Sequence, residues 1–593
     1  MSVYSAPLRD MRFWLELRLA DAHASRLGEY AELTGDLVAA VLEEAARFAE
    51  EVLDPLYRLG DQRGATLENG QVRLPAEIRD AYARFAEGGW VGLPVDTELG
   101  GQGLPQLVSV AVNEIWKSAN LAFSLCPMLT QGAIETLRRH GSEALKSRFL
   151  AKMVAGTWTG TMNLTEPQAG SDLGALRAIA VPEGDHYRLK GRKIFITWGD
   201  HDLAENVVHL VLARTPGAPP GINGISMFVV PKRLVAADAS IGELNEIATV
   251  SIEEKLGIHG SPTCVLSYGD QRGAVAYLVG EEHRGLSYMF TMMNSARLAV
   301  GAEGLAMAER GYQQALAYAR ERVQGSSPTD GGPARILEHP DVRRMLMIMK
   351  SGTEAMRGLS YAAAAALDRA GMERATDADH ARVALLTPVV KGWCTELAQE
   401  LASLAIQVHG GVGYVEETGV AQILRDARIT TIYEGTTGIQ ANDLVGRKLL
   451  RDRGAALAAL LAEIEALLPE LAAAEGGLPS SLAALRRGTE ACRQAVGFLL
   501  ERHREDSELA GSVAVNLLLL MGTLLGGWQL ARGALAARAR LADGGADADW
   551  LRAKLVTAEF YAEHLMPRID AYRATIVSGS RTIMALTEDQ LAR

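Results

Sequence analysis

The stretch LRDARITTIYEGTTGIQANDLVGRKLL, Leu424–Leu450, decides how the rest of the chain is read. An apolar run, Ile429–Tyr433, leads into a carboxylate, Glu434, and then into Gly435. Thr437 and Gln440 have the spacing of a capping box, which predicts a helix beginning near Gly438. Glu434 therefore falls on a loop just ahead of a helix start. A carboxylate there can simply complement the helix dipole. It can also be a general base on a loop shielded from water, with burial raising its pKa toward the working range.

Three other segments carry comparable ambiguity. MNLTEPQAGSDLG, Met162–Gly174, is a loop punctuated by Pro167, Gly170 and Gly174. Gly170 and Ser171 either present N–H groups and a hydroxyl to an anionic or carbonyl ligand or form a plain turn. KIFITWG, Lys193–Gly199, is an apolar strand ending in Thr197 and an aromatic. Such an end can stack a planar ring and bond its edge, or it can belong to a sheet core. QVHGGVGYVEE, Gln407–Glu417, follows a helix. Its G-G-x-G spacing lacks the later glycine of the dinucleotide fingerprint, so no Rossmann site is predicted, and the sequence contains no P-loop. Gly410 and Gly411 either cap that helix or let a backbone approach a ligand closely.

Around these segments the periodicity changes three times. Residues 1–155 read as helix, with Thr34 and Asp36 as candidate caps for the run 33–56 and a glycine-rich loop at 92–105. Residues 156–282 hold short β-branched and aromatic runs (YRLKGRKIFITWG, NVVHLVLAR, GISMFVVPK, TCVLSYG, AVAYLVG) separated by Gly, Pro and Asp. They predict an antiparallel barrel or sandwich, and the expected class is mainly α with a central β-barrel domain. Residues 283–450 return to helix, with a loop at 326–333. Residues 451–593 form a further Ala/Leu-rich helical domain with a Gly-Gly break at 476–477.

Composition limits the function. The 593 residues are 48% hydrophobic and 22% charged, which is ordinary for a globular protein of several domains. Asp and Glu outnumber Lys and Arg by 72 to 60, so general attraction to nucleic-acid phosphates is not expected. The last region, 451–593, has 16 basic and 18 acidic residues and is no basic arm. Cys126, Cys264, Cys394 and Cys492 are far apart, and the 12 histidines show no metal-ligand spacing; free thiols in a reducing cytoplasm and no metal are the expectation. No signal peptide is evident. Leu509–Ala531 is charge-free and long enough for a membrane span, but its glycines, Asn516, Gln529 and amphipathic flanks favour a buried helix.

Taken together and in this order, the four segments resemble the acyl-CoA dehydrogenase family: a T-E-P-x-A-G-S-D turn, an I-T strand end, a Q-x-x-G-G-x-G loop and R-D-x-x-x-x-x-I-Y-E-G-T. The resemblance covers roughly 35–450. YSAPLRDMRF, KLGIHGSPTC, YARERVQG and MALTEDQ are similar to the subgroup with an extra C-terminal helical domain, which includes 3-methylmercaptopropionyl-CoA dehydrogenase-like proteins.

The resemblance implies the family's helical–β–helical fold, an FAD cofactor, an acyl-CoA substrate and a trans-2-enoyl-CoA product. It implies Glu434 as the base for the α-proton, the β-hydrogen leaving as hydride to flavin N5, and an electron-transferring flavoprotein as acceptor. The thioester carbonyl would be polarised by a flavin ribityl hydroxyl and the Glu434 N–H. Carried over position by position, Met162, Leu164, Thr165, Gly170 and Ser171 match the flavin-side turn. Phe195, Ile196 and Thr197 match the strand end, with Phe where the family usually has Trp. Thr436 and Gly438 match flavin contacts after the base, and Ser171 and Arg297 match positions near substrate. Arg322, Gln407, Gly410 and Gly411 match residues that reach a neighbouring subunit's cofactor, which implies a homodimer. Here R-V-Q-G replaces the usual R-x-x-F-G, and Pro340 stands near the place of the next family glutamine. The competing readings are an oxidase using oxygen and a non-enzymatic flavin-binding damage-response relative; the latter conflicts with the net charge of −2 over 451–593. The sequence leaves acyl length and shape open.

Overall fold

The structure is a computed structural model that describes residues 4–24, 33–327, 329, 331–474, 477–544 and 547–592. Gly476 of the expected Gly-Gly break, and Pro328 and Asp330 of the expected loop, lie outside the described residues. Contacts divide the chain into two compact units, one of Ala45–Pro105 with Ile115–Ala299, the other of Met1–Glu44, Gln106–Glu114 and Val300–Arg593.

The first unit carries an eight-stranded sheet: β1 Trp158–Asn163, β2 Ile179–Glu183, β3 His186–Thr197, β4 Asn206–Arg214, β5 Ile225–Pro231, β6 Ile247–Ile252, β7 Thr263–Tyr268 and β8 Ala274–Leu278. The order is β6-β7-β3-β8-β5-β4-β1. Five strands lie where the apolar runs predict them. The other three carry weak signals: β1 is WTGTMN, β2 contains Pro182, and β6 has no buried face. In β1, Gly160 is demanded by packing, because a Cβ there would sit 2.5 Å from that of Ala133.

The sheet is not purely antiparallel as the sequence suggests, since β1 runs parallel to β4 over six residue pairs. β2 pairs along β3 but meets β4 through one pair, Ile179 with Arg214. The sheet thus folds over along β2 with a one-pair seam. Among the described residues no pairing joins β6 to β1, and a closed barrel is not established.

The second unit is helical. Thr34 caps Gly35–Phe48, its hydroxyl accepting from the Leu37 N–H at 3.2 Å. Pro340–Gly371 and Asp377–His409 pack on each other, and Leu509–Ala542 lies against both. Leu509–Ala542 is long and apolar enough to cross a membrane, but 67% of its most apolar window is buried, also under Ala548–His564 and Arg568–Val577. Its all-round apolarity suits a core helix.

A buried charge network ties the second unit together. Arg357 meets Asp10 at 2.5 Å, Glu114 at 2.6 Å and Glu309 at 2.6 Å, and Tyr361 donates to Glu114. Lys554, from the last domain, bonds Asp10 and Glu354. Five segments distant in sequence are thereby held by charges whose geometry must be kept, because a buried ion without its partner is costly. The four cysteines are buried free thiols; burial pushes Cys264, Cys394 and Cys492 up to about 12. Among the described residues no group of three or more His, Cys, Asp or Glu is placed to hold a metal ion.

Candidate active site

In the helical unit, Glu434 sits half-buried at φ 56°, a left-handed conformation uncommon for a residue with a side chain. Gly435 follows at φ 89°, where a Cβ would lie 2.8 Å from the Gln440 amide nitrogen. That amide donates to the carbonyls of Glu434 at 3.0 Å and Gly435 at 3.4 Å. The Lys391 ammonium donates to the Gly435 carbonyl at 2.7 Å. On the other side, the Tyr433 hydroxyl donates to Glu303; burial first, and then the Glu303 carboxylate, hold its pKa well above the usual phenol range. The loop 433–435 is therefore fixed from both ends. Residues stored in such strained backbone cluster at functional sites.

The helix after this loop is Thr437–Asn442, one residue earlier than expected. Its cap is Thr436, whose hydroxyl accepts from the Ile439 N–H at 3.3 Å, not Thr437. Thr437 is buried and donates to Glu396 at 2.5 Å, so the capping-box spacing was satisfied by other bonds: Gln440 turns back to the Glu434 loop. Gly438 lies in the first turn, half-buried.

In the same unit Arg322, Gln407, Gly410 and Gly411 are all exposed. Arg322 follows the end of Gly285–Glu321; one turn earlier Tyr318 stacks on His409 with ring centroids 4.4 Å apart, and Gln314 donates to the Thr418 carbonyl at 2.8 Å. Gly410 caps Asp377–His409 at φ 65°, so it serves the helix end while staying open to solvent.

In the sheet unit, the turn 164–171 and the end of β3 form one structure. The Ile194 N–H donates to the Thr165 carbonyl at 3.0 Å. Lys193, wholly buried, donates to the Leu164 carbonyl at 3.0 Å and to Glu166 at 2.9 Å. Burial pulls Lys193 down to about 8 against the attraction of Glu166. Burial would raise Glu166, but the Lys193 charge and the N–H groups of Arg177 and Ala178 bring it below the ordinary carboxylate value.

Two register points, Ile196–Cys264 and Lys193–Leu266, leave two residues of β3 opposite one of β7. This β-bulge holds Phe195 at φ 59° and turns its ring outward, 60% exposed, between buried Lys193 and Ile196. Met162, Leu164, Thr165 and Thr197 are half-buried, and Gly170 and Ser171 exposed. Arg297 is buried on Gly285–Glu321, its guanidinium 5.9 Å from the Phe290 ring centroid.

Family models match the chain almost end to end: acyl-CoA dehydrogenase N-terminal domain over 38–157, middle domain over 161–270, C-terminal domain over 283–450, and acetyl-CoA dehydrogenase C-terminal-like over 456–587. The chain belongs to the acyl-CoA dehydrogenase family. It is 48% identical to 3-methylmercaptopropionyl-CoA dehydrogenase of Ruegeria pomeroyi, over 98% of this chain and 99% of that protein. It is 36% identical to the broad-specificity linear acyl-CoA dehydrogenase FadE5 of Mycobacterium tuberculosis, over 99% and 100%. The solved structure of Caenorhabditis elegans ACDH-11 in complex with C11-CoA shares the fold, with TM-score 0.74, 23% identity, and coverage of 94% of this chain and 93% of that one.

As an acyl-CoA dehydrogenase the protein is an oxidoreductase acting on CH–CH bonds, with FAD as cofactor. The residues present fit a flavin: a large aromatic ring held outward by a bulge, on a strand bonded to the turn that carries exposed Gly170 and Ser171, is what a planar cofactor would cover. Sequence reading missed Glu166, Lys193 and Lys391, which hold these features in place, and gave Gln440 a capping role rather than its bond to the Glu434 loop. One signal was available: Lys193 falls on the inward parity of β3, two residues after Gly191 and four after buried Leu189, where a cation demands a buried partner.

Proposed function

We propose that this enzyme carries out α,β-dehydrogenation of an acyl-CoA thioester, Glu434 removing the α-proton. The observation that supports this reading most directly is the immobilised loop 433–435, which presents a half-buried carboxylate from a backbone bonded to Gln440 and Lys391 and anchored by the Tyr433 hydroxyl on Glu303. An α-C–H of a thioester is a very weak acid, so a base must be both aimed and partly desolvated, and the carbonyl oxygen must be polarised; the Glu434 N–H is our assigned donor. Bound FAD supplies the acceptor for the β-hydrogen, as hydride.

Met162, Leu164, Thr165, Gly170, Ser171 and the strand end Phe195–Thr197 would seat the flavin, with Thr436 and Gly438 adding contacts after the base. Ser171 and Arg297 would serve the substrate. Arg322, Gln407, Gly410 and Gly411 would reach the cofactor of a second subunit in a homodimer; the exposure of Val412, Tyr414 and Val415 beside them supports a protein-covered face. The one-pair seam at Ile179–Arg214 is read as the closure of the family's barrel. Electrons would pass to an electron-transferring flavoprotein, in the cytoplasm, as part of acyl-chain oxidation. Relatedness points to linear or methylthio-substituted acyl groups.

Anaerobic titration with a panel of acyl-CoAs, following the visible flavin band, tests the proposal. Bleaching by one class, abolished in Glu434→Gln with flavin still bound, is expected. A flavin-loaded protein that no thioester bleaches, or a Glu434→Gln variant that bleaches like the wild type, would overturn it. Peroxide release in air would redirect the electrons to oxygen.

A further inference from the structure

The C-terminal extension carries no catalytic motif, yet its longest helix reaches the segment that bears Glu434. Leu509–Ala542 packs along Thr437–Asn442, the helix that follows Glu434, and along Asp443–Leu449, which continues it in the wider π winding. Such π-wound stretches collect at functional sites. The same helix packs on Asp377–His409. Asp377–His409 in turn holds the catalytic segment at three places: the Lys391 ammonium donates to the Gly435 carbonyl at 2.7 Å, Glu396 accepts from the Thr437 hydroxyl at 2.5 Å, and the Gln399 amide donates to the Ala427 carbonyl at 2.8 Å.

The two long helices interlock beside the first of these clamps. Lys391 is wholly buried and is followed by Gly392, over which Leu518 of the extension lies. A Cβ on Gly392 would sit 2.7 Å and 2.8 Å from the two methyl carbons of Leu518. Next comes Trp393, 4% exposed, whose indole fills the groove left by Gly522 and Gly526. A Cβ on Gly526 would meet that ring at 2.8 Å, and one on Gly522 would overlap it. Leu518, Gly522 and Gly526 recur every four residues, so they share one face of their helix. Glycine inside a helix is destabilising relative to alanine, so three at one crossing are explained by the closeness of the contact. Lys391 and Gly392 are adjacent in one helix, and close-packed interiors transmit displacement. The depth at which Leu518 seats Gly392 therefore sets where the Lys391 ammonium meets the loop.

We propose that the extension is a positioning element of the active site: Leu518, with Gly522 and Gly526, sets the depth of Lys391–Trp393, and Lys391 thereby fixes the Gly435 carbonyl and the aim of the Glu434 carboxylate. This inference rests on Glu434 being the α-proton base. Leu518 acts through Lys391 and is a positioning residue. A base shifted by about 1 Å loses rate rather than affinity.

The test is anaerobic stopped-flow reduction of the FAD-loaded full chain, at saturation with whichever of butyryl-CoA, octanoyl-CoA and 3-methylmercaptopropionyl-CoA reduces the wild type fastest. Leu518→Ala should slow flavin reduction roughly tenfold, with flavin content and acyl-CoA affinity unchanged. Leu524→Ala is the control: Leu524 is 1% exposed on the same helix but packs on Gly488 of Pro479–Arg502, inside the extension. It should lower the unfolding midpoint as Leu518→Ala does and keep the wild-type rate. Lys391→Met should also slow reduction, and adding Leu518→Ala to it should slow it no further. Gly392→Ala, whose methyl meets Leu518, should slow reduction too, and combining it with Leu518→Ala should recover most of the rate. Gly392→Ala serves alone if Leu518→Ala does not fold. Wild-type rates in Leu518→Ala or Gly392→Ala, or equal slowing in Leu524→Ala, would overturn the inference and leave the base assignment intact. Reduction of Glu434→Gln at the wild-type rate, or no reduction of the wild type by any of the three thioesters, would overturn both.

Discussion

Lys193→Met keeps the stem of a buried side chain and removes its ammonium. The structure indicates what is lost: bonds of 3.0 Å to the Leu164 carbonyl and 2.9 Å to Glu166, in a pair whose side chains are 0% and 3% exposed. Stripping one partner from a buried ion pair costs about 3–5 kcal/mol. Glu166 would keep the N–H groups of Arg177 at 2.7 Å and Ala178 at 3.0 Å and the Gln168 amide at 2.6 Å, so the lower end, about 3 kcal/mol, is expected. The loss should fall on the turn 164–171 and release flavin early.

The pH dependence supplies a second readout. Burial holds Lys193 at about 8 in the fold, against about 10.4 in an unfolded chain. Between these values the unfolded chain binds more protons, so this group's contribution is fully present above about pH 10.4 and is lost as pH falls to about 8. Wild-type stability should therefore carry a positive increment from Lys193 of up to about 1.4 kcal/mol per pH unit in that window, which the variant lacks. Glu166, depressed in the fold, contributes stability that disappears on the acid side as pH falls through its folded value. Urea unfolding of both proteins at about pH 7 and about pH 9.5, monitored by flavin release, measures both effects. A variant within about 1 kcal/mol of wild type at neutral pH, or one with the same pH increment, would refute the assignment of this pair as the anchor of the turn.

Other consequences can be measured separately. Gln440→Leu removes the bond to the Glu434 carbonyl and should lower kcat by roughly tenfold or more with KM for acyl-CoA and flavin content unchanged, the signature of a positioning residue; a change in KM alone would count against it. Phe195→Ala should raise the FAD dissociation constant by roughly three- to tenfold, and Phe195→Trp should restore it, both read by flavin fluorescence. Arg357→Met leaves Asp10, Glu114 and Glu309 without that cation and should destabilise the helical unit by about 3–5 kcal/mol in denaturant unfolding. Burial already raises Glu114, so the variant should be relatively less unstable as pH falls, and adding Glu114→Gln should recover part of the loss.

Much of this protein was written in short-range pattern. Helical spacing and β-branched runs marked the helical segments and five strands of the sheet, because burial of one face imposes a period on the sequence. Four motifs in order located the family, and the glycine of YEGT is explained locally: at φ 89° beside Gln440 no side chain fits. The structure alone supplied what depends on distant partners. It placed the cap at Thr436 rather than Thr437, because Thr437 has a better acceptor in Glu396, 41 residues away. It put Phe195 outward through a bulge defined by β7, paired Lys193 with Glu166, and gathered Arg357 with three carboxylates from three other segments. It also showed the charge-free Leu509–Ala531 inside a helix packed among others, where composition alone also allowed a membrane. Periodicity and turn chemistry are local consequences of covalent geometry and burial, so a sequence displays them directly. Buried pairs, bulges and cavities form only when remote segments meet, and their energies depend on partners that no single stretch of sequence contains.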